Sequence, residues 1–384
     1  MDFSWSPEQL NYKKKVIQFA QEQLTDDVVE RDAAGTFPMA LWQTCADFGI
    51  QALAAPAAYG GQHEEIDILS AMLAMEGFGY GCKDNGLAFG LNAQMWTVQL
   101  PIVQFGTEEQ KEKFLPAFTS GKWIGAHALT EPEAGSDLFS MQMTAEKVEG
   151  GYRLNGQKRL VTFAPIADVA LILATVNPKL GKWGVTAFLV EKGSQGFTAG
   201  EVQQKMGLRT IPFGDLHLED CFVPTANRLG KEGAGFSLIN HSLEYERCCI
   251  LASQLGTMER QLEEAIAFVR KREQFGQAIG KFQSVANRIV NMKLRLETSR
   301  LLLYKVAWLK KQGKSAMMEA ALLKLQLSES FLDSSLDAIR SYGGNGYLSE
   351  FGEERNLRDA VGGLLYAGTS DIQRNIIAKL LGVS

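Results

Sequence analysis

Five cysteines, at positions 45, 82, 221, 248 and 249, are all the thiols in 384 residues; their number is odd and no two stand in a CxxC pair. That argues against a disulfide frame and a thiolate zinc site. Histidine is scarcer still. His63, His127, His217 and His241 lie far apart, with no HExxH and no helical pairing, so no metal centre is expected. No stretch approaches the roughly 20 uninterrupted apolar residues of a membrane-crossing helix. The start, Met1-Asp2-Phe3-Ser4-Trp5, lacks the basic and apolar regions of a secretory leader. A soluble cytoplasmic protein is the expectation. Net charge is only −5, with Lys and Arg dispersed among Asp and Glu, so neither a nucleic-acid footprint nor a polybasic membrane anchor is visible. A GxGxxG after a strand is missing too: Gly230-Lys231-Glu232-Gly233-Ala234-Gly235 has the wrong order, which disfavours a Rossmann nicotinamide site.

What is present is an ordinary globular balance, 46% hydrophobic and 22% charged residues, enough for two or three compact units. From about residue 6 to 122 apolar residues recur at three and four spacing, with breaks at Gly35 through Pro38, at Pro56 through Gly61 and around Pro101. Between 123 and 230 short alternating runs take over. Tyr152-Arg153-Leu154 and Leu160-Val161-Thr162-Phe163 flank Asn155-Gly156, a pair that favours a tight hairpin because both central residues of that turn need positive φ. Val169 through Leu173, Val185 through Val190 and Leu216 through Leu218 continue the strand-like series. Helical spacing then returns in Val285, Ile289, Met292, Leu296, Leu303 and Val306, and a second helical stretch runs from about Ala316 to Ser341 before Gly343-Gly344-Asn345-Gly346. Leu301-Leu302-Leu303 and Met317-Met318 read as core or helix-helix interface. The expected class is α+β, mostly α: an N-terminal helical domain (1–122), a middle β domain (123–230) and a C-terminal four-helix-bundle domain (231–384).

Near the C-terminus the chain reads Tyr366-Ala367-Gly368-Thr369-Ser370-Asp371-Ile372-Gln373. Thr369 and Asp371 open the last helix, where backbone N–H groups and the helix dipole favour a phosphate or polarised oxygen, and where they also serve as a cap. This segment resembles the flavin-binding signature of acyl-CoA dehydrogenases, with Ala367 where many members carry their catalytic glutamate. The resemblance runs along essentially the whole chain. His127-Ala128-Leu129-Thr130-Glu131-Pro132-Glu133-Ala134-Gly135-Ser136-Asp137 is similar to the family's first signature, which implies flavin contacts from His127, Leu129, Thr130, Gly135 and Ser136. Glycine there allows close backbone approach, and Thr130 and Ser136 offer hydrogen bonds. Leu160-Val161-Thr162 matches the strand beside the flavin ring, with Leu160 where a tryptophan usually stands; Leu160 and Thr162 are thereby implied in cofactor binding. Arg272, Gln274, Phe275 and Gln283 match a segment that reaches a neighbouring subunit's FAD, where arginine makes charge-assisted bonds to pyrophosphate. Arg340, Gly343 and Gly344 match another neighbour-supplied contact, with arginine in place of the commoner glutamine. FAD is therefore the implied cofactor, and a homo-oligomer, a tetramer by resemblance, the implied assembly.

Desaturating an acyl thioester removes a weakly acidic α proton while the β hydrogen leaves as hydride. Proton removal needs a carboxylate whose pKa is raised by burial, with donors for the developing enolate oxygen. Ala367 has no carboxylate, although its backbone N–H remains an enolate donor. In the subset of the family lacking the C-terminal glutamate, the base comes from a glutamate directly before an arginine on an earlier helix. Here that helix reads Leu243-Glu244-Tyr245-Glu246-Arg247-Cys248-Cys249-Ile250. Residues two apart on a helix point about 200° apart, so only one of the two glutamates faces a cavity. Glu246 shares its side with Leu243, Cys249 and Ile250 and matches the motif position, which makes it the expected base and Glu244 an ion-pair partner. Ser136, Arg247, Ala367 and Gly368 are the implied substrate contacts.

Within the family, Phe78 through Leu87, Thr130 through Asp137 and Glu246-Arg247-Cys248 are similar to the branch acting on aminoacyl thioesters tethered to carrier proteins, especially prolyl-carrier-protein dehydrogenases. The resemblance implies an L-prolyl group on a phosphopantetheine arm as substrate and a dehydroprolyl or pyrrole-2-carboxyl thioester as product. Ala367 and Leu160 equally suit a branched acyl group, which keeps a short or branched acyl-CoA as an alternative substrate. A flavin-binding protein without dehydrogenase activity is the second alternative.

Overall fold

The computed structural model describes residues 4–24 and 27–383. Helices come first: α1 (Pro7–Gln23), α2 (Val28–Ala34), α3 (Met39–Phe48), α4 (Ile68–Gly81), α5 (Asn85–Gln94), α6 (Leu100–Phe105) and α7 (Glu108–Thr119). Strands follow: β1 (Gly125–Ala128), β2 (Thr144–Val148), β3 (Gly151–Thr162), β4 (Val169–Thr175), β5 (Val185–Glu191), β6 (Phe197–Ala199), β7 (Phe213–Pro224) and β8 (Arg228–Leu229). Helices return as α8 (Gly235–Cys249), α9 (Ala252–Lys271), α10 (Gln283–Lys311), α11 (Met317–Tyr342), α12 (Glu353–Gly363) and α13 (Ser370–Leu381), with a small hairpin of β9 (Glu273–Gln274) and β10 (Gln277–Ala278) between α9 and α10. The mostly helical α+β class read from the sequence is the class observed.

Local chemistry sets several of these boundaries. Ser6 and Gln9 form a capping box at α1, and Thr107 and Gln110 form another at α7, each satisfying amide groups that a helix start leaves open. The sheet runs in the order β6-β7-β3-β2-β4-β5-β8, with β1 parallel to β4. β4 is buried along its whole length and β5 nearly so, which requires cover on both faces. Helix α4 crosses α9 at unusually close range. A Cβ on Gly79 would stand 1.8 Å from the Ser253 carbonyl oxygen, and one on Gly256 would stand 1.9 Å from that of Glu76. Only glycine permits this backbone approach, and it fixes where α9 begins.

Two local expectations are corrected and a third is narrowed. Asn155-Gly156 is not a hairpin turn, because β3 runs straight through it; the tight turn is at Glu149-Gly150, where Gly150 has φ +76°. Asn155 instead bridges to Asp220 across a bulge in β7: its amide nitrogen donates to the Asp220 carboxylate at 3.2 Å and its oxygen accepts the Asp220 N–H at 2.8 Å. Pro101 does not break the helical run. Met95–Gln99 widens to a π turn between α5 and α6, and the missing proline N–H falls at the start of α6. Of the Leu301-Leu302-Leu303 cluster only Leu303 is fully buried. Leu301 and Met317 are exposed in this chain, as are Val290 and Leu294 on the same helix as Leu301, α10. Among the described residues no helix is long and apolar enough to cross a membrane, no group of three His, Cys, Asp or Glu is placed to hold a metal, and all five cysteines are free and buried.

Candidate active site

The last two turns of α8 carry an unusual density of charge for a buried segment: Glu244, Glu246 and Arg247 are all buried beside Cys248 and Cys249. The two glutamates diverge as helical geometry requires. Glu244 accepts from Lys310 Nζ at 2.8 Å, from the Ala316 N–H at 3.0 Å and from the Ser315 hydroxyl at 3.2 Å. Burial pushes its pKa up, but Lys310 and the Ala316 amide together hold the carboxyl below its ordinary range. Its partner is thus Lys310, not the adjacent Arg247. Breaking such a pair strands a buried ammonium, so Glu244→Gln is expected to cost about 3 kcal/mol of stability while the folded fraction keeps its turnover. Denaturant melts and rates per folded protein check this.

Glu246 has the opposite environment. It is 8% exposed, and its Oε2 makes no hydrogen bond among the described residues. Burial pushes its pKa up to about 7, against the pull of Arg247 and Lys324. Lys324, on α11, is fully buried, its ammonium has no hydrogen-bond partner among the described residues, and burial pushes its pKa down to about 8. Arg247 likewise leaves its Nε unpartnered. A carboxylate, a guanidinium and an ammonium therefore share an interior region, each with unmade hydrogen bonds. Desolvation costs of this size are typical of sites built for chemistry. Lys324 did not figure in the sequence reading, although a lone lysine within Ala320-Ala321-Leu322-Leu323-Lys324-Leu325 is a visible signal.

The C-terminal signature comes to the same region. Ile250, one turn beyond Glu246, lines a small cavity together with Tyr366 and Gln254. Ala367 has φ +55° and Gly368 φ +84°; the left-handed conformation costs a non-glycine residue roughly 1–2 kcal/mol. Gln373 holds this bend, donating to the carbonyl oxygens of Ala367 at 3.1 Å and Gly368 at 2.9 Å. Among the described residues no carbonyl accepts from the Ala367 N–H. Thr369 caps α13 by accepting the Ile372 N–H at 3.2 Å, while the Asp371 side chain faces solvent beside Arg374.

The first signature and the β3 segment form one wall. Lys158, fully buried on β3, donates to the Leu129 carbonyl at 3.0 Å and to the Glu131 carboxylate at 2.7 Å. The Arg159 N–H donates to the Thr130 carbonyl at 2.8 Å. Glu131 also accepts the Gln142 N–H at 2.5 Å. His127, on β1, has its Nε2 out of solvent and unpartnered, and burial followed by Lys158 pushes its pKa down to about 4; its imidazole is neutral. Leu160 lies at a bulge with φ +58° and is half exposed, Thr162 is half-buried, and Gly135 and Ser136 are exposed.

Arg272, Gln274, Phe275, Gln283, Arg340, Gly343 and Gly344 gather elsewhere, at the α9–α10 hairpin and the end of α11. No hydrogen bond among the described residues joins them to the first wall. Phe275 is 94% exposed at the hairpin tip, Arg272 makes no ion pair among the described residues, and Arg340 pairs only with Asp337 at 3.4 Å. A Cβ added at Gly135, Gly276, Gly343 or Gly344 would meet nothing within 4 Å. Open glycine backbone, exposed arginines and a capped helix start suit a dinucleotide's pyrophosphate and ring, so the residues present fit FAD.

Comparison with known proteins agrees along nearly the full length. The models for the acyl-CoA dehydrogenase N-terminal, middle and C-terminal domains match residues 6–122, 126–221 and 233–382. The L-prolyl-[peptidyl-carrier protein] dehydrogenase of Pseudomonas fluorescens is 42% identical over 382 residues, 99% of this chain and 100% of that protein. Among solved structures, the prolyl acyl carrier protein oxidase AnaB gives a TM-score of 0.97 at 50% identity, covering 99% of this chain and 100% of that one. PigA, solved with FAD and proline, gives 0.97 at 41% identity, with 100% of both chains covered.

Proposed function

The chain belongs to the acyl-CoA dehydrogenase family, and from that premise we propose that it oxidises an L-prolyl group held as a thioester on a peptidyl carrier protein, with Glu246 as the base. It is a flavin-dependent oxidoreductase. FAD, when bound, supplies the two-electron acceptor for the β hydrogen. His127, Leu129, Thr130, Gly135, Ser136, Leu160, Thr162, Thr369 and Asp371 are the residues we assign to it within one chain. Arg272, Gln274, Phe275, Gln283, Arg340, Gly343 and Gly344 are assigned to a neighbour's cofactor. That division calls for a homo-oligomer, which we take to be a tetramer; the exposed Val290, Leu294 and Leu301 on α10 supply an apolar face for it. A cytoplasmic location and domain boundaries at 122/123 and 230/231 belong to the same reading.

The observation that carries the proposal is the buried carboxyl of Glu246 with an unsatisfied oxygen and a pKa near 7. A carboxylate in that state accepts a proton readily at neutral pH. Glu246 takes the α proton onto Oε2, and the unpaired Ala367 N–H, fixed by Gln373, faces the thioester oxygen as charge develops there. Arg247 and Lys324 keep Glu246 ionised enough to act. Ser136, Arg247, Ala367 and Gly368 are the assigned substrate contacts.

The reactive form is the carboxylate, so turnover is expected to rise with pH through about 7. A kcat profile from about pH 5.5 to 8.5, spanning the range over which a base of this kind titrates, checks this, and a flat profile would count against Glu246. The reaction itself is tested by mixing yellow protein anaerobically with prolyl-carrier protein, free proline and a panel of short and branched acyl-CoAs. Bleaching of the flavin only by the carrier-bound prolyl group supports the proposal. Bleaching by an acyl-CoA would replace the substrate, and none by any would leave a flavin-binding protein without this activity.

A further inference from the structure

Beyond Glu246, along the line of α8 into α9, the interior closes. The cavity shared by Ile250, Gln254 and Tyr366 holds only about 10 Å³, about the space of one water molecule, which the N–H edge of a ring seated at its mouth can fill and an acyl chain cannot extend into. Phe89 packs against Tyr366 with ring centroids 4.7 Å apart, and Phe331 covers a further side. Gln254 is the stopper. Its Nε2 donates to the Tyr366 hydroxyl at 2.5 Å, which fixes the plane of the amide. A Cβ on Gly363 would stand 3.6 Å from both of those atoms, so the pair lies beside α12. The other end of the amide is unspent: Gln254 Oε1 is out of solvent and has no hydrogen-bond partner among the described residues. A buried carbonyl oxygen without a donor carries a desolvation cost that a ligand N–H would relieve.

Resting on the reaction proposed above, we infer that Gln254 is the residue that selects a compact cyclic amine over an acyl chain: its side chain ends the pocket behind Tyr366, and its free Oε1 accepts a hydrogen bond from the ring N–H of the prolyl group. A hydrocarbon of the same shape fills the space but leaves that oxygen unpaired. Sites that hydrogen-bond a substrate group reject analogues lacking it far more strongly than sites that sense size alone. Gln254 is a specificity-determining residue, with no part in the proton transfer.

The discriminating substrate is cyclopentanecarbonyl thioester on the same carrier protein, isosteric with the prolyl group but lacking the N–H. In the unmodified protein the rate of anaerobic flavin bleaching, as kcat/KM, is expected to favour prolyl by at least about 100-fold. In Gln254→Leu, which keeps the bulk and removes the acceptor, the preference should fall to within a few-fold of unity, chiefly by loss on the prolyl substrate. Gln254→Ala should in addition admit butyryl thioester. Equal rates for the two rings in the unmodified protein would overturn the inference whether or not the variants fold, and so would an undiminished preference in a folded Gln254→Leu. Failure of the unmodified protein to bleach with either ring would instead remove the proposed reaction, and this inference with it.

Discussion

Glu246→Gln is expected to leave a yellow, folded protein whose turnover is lower by about 10²–10⁴-fold, the usual contribution of a positioned general base. The amide is nearly isosteric with the carboxylate and removes only the proton acceptor. The same substitution should also stabilise the protein at alkaline pH. The folded-state pKa of Glu246 is raised from the 4.5 of an unperturbed carboxyl to about 7. A raised value means that the folded state binds the proton more tightly than the unfolded chain. The stability this provides is fully present below about pH 4.5 and is lost as pH rises through 7. At about 1.4 kcal/mol per unit, the loss by about pH 8 is of the order of 3 kcal/mol. The glutamine side chain has no such titration, so the variant should gain about that much over the unmodified protein at about pH 8 and little at about pH 5. Anaerobic stopped-flow bleaching and denaturant melts at the two pH values read both effects. Turnover within threefold of the unmodified protein would place the base elsewhere.

The sequence points to this residue through the resemblance, which implies a base directly before an arginine on an earlier helix when Ala367 replaces the C-terminal glutamate, and through helical geometry, which turns Glu244 and Glu246 to opposite sides. The broad architecture was legible for similar reasons, since three-and-four spacing over α10 and α11 and continuous apolar runs at β4 and β5 have few alternative structures. What failed was local. Asn155-Gly156 satisfies turn chemistry, but partners on both sides of β3 outweigh that preference, and the asparagine is used across the sheet at Asp220. Pro101 removes one amide from a helix, but a buried run from Met95 to Ile102 lets the backbone widen instead of ending. Leu301 and Met317 suit a core or a helix-helix interface, and composition says neither which of the two holds nor whether the partner surface lies in the same chain. Of the site itself, Lys324 had a visible signal in its apolar flanks. Gln254 had none, because a polar residue on an amphipathic helix is ordinarily solvated, and only the crossing of α4 with α9 and the position of Tyr366 turn it inward.

The second large effect is expected at Glu131, which does no chemistry. Its carboxylate accepts from Lys158 Nζ at 2.7 Å and from the Gln142 N–H at 2.5 Å, and Lys158 also donates to the Leu129 carbonyl at 3.0 Å. Both side chains are buried, at 4% and 0% exposure. Neither charge has water to fall back on, so Glu131→Ala strands an ammonium and the backbone amides of Gln142 and Met143, the latter 3.2 Å from the carboxylate, and should cost about 3–5 kcal/mol. The structural consequence is directional. Lys158 is the side-chain tie between the loop 129–137 and β3, beside the backbone bond from the Arg159 N–H to the Thr130 carbonyl, and the half-exposed Leu160 follows it by two residues in the wall assigned to the flavin. Losing the tie should therefore release flavin before it unfolds the sheet. Glu131→Ala is expected to purify with reduced yellow colour and to show flavin release at a lower denaturant concentration than the loss of circular dichroism, whereas the two transitions should be closer in the unmodified protein. Glu131→Gln keeps an acceptor for Gln142 and should lose less, and the difference between the two variants isolates the part due to charge. If Glu131→Ala retained flavin and melted as the unmodified protein does, Lys158 would have to find another anion, since its one other side-chain hydrogen bond among the described residues is to the carbonyl of Leu129.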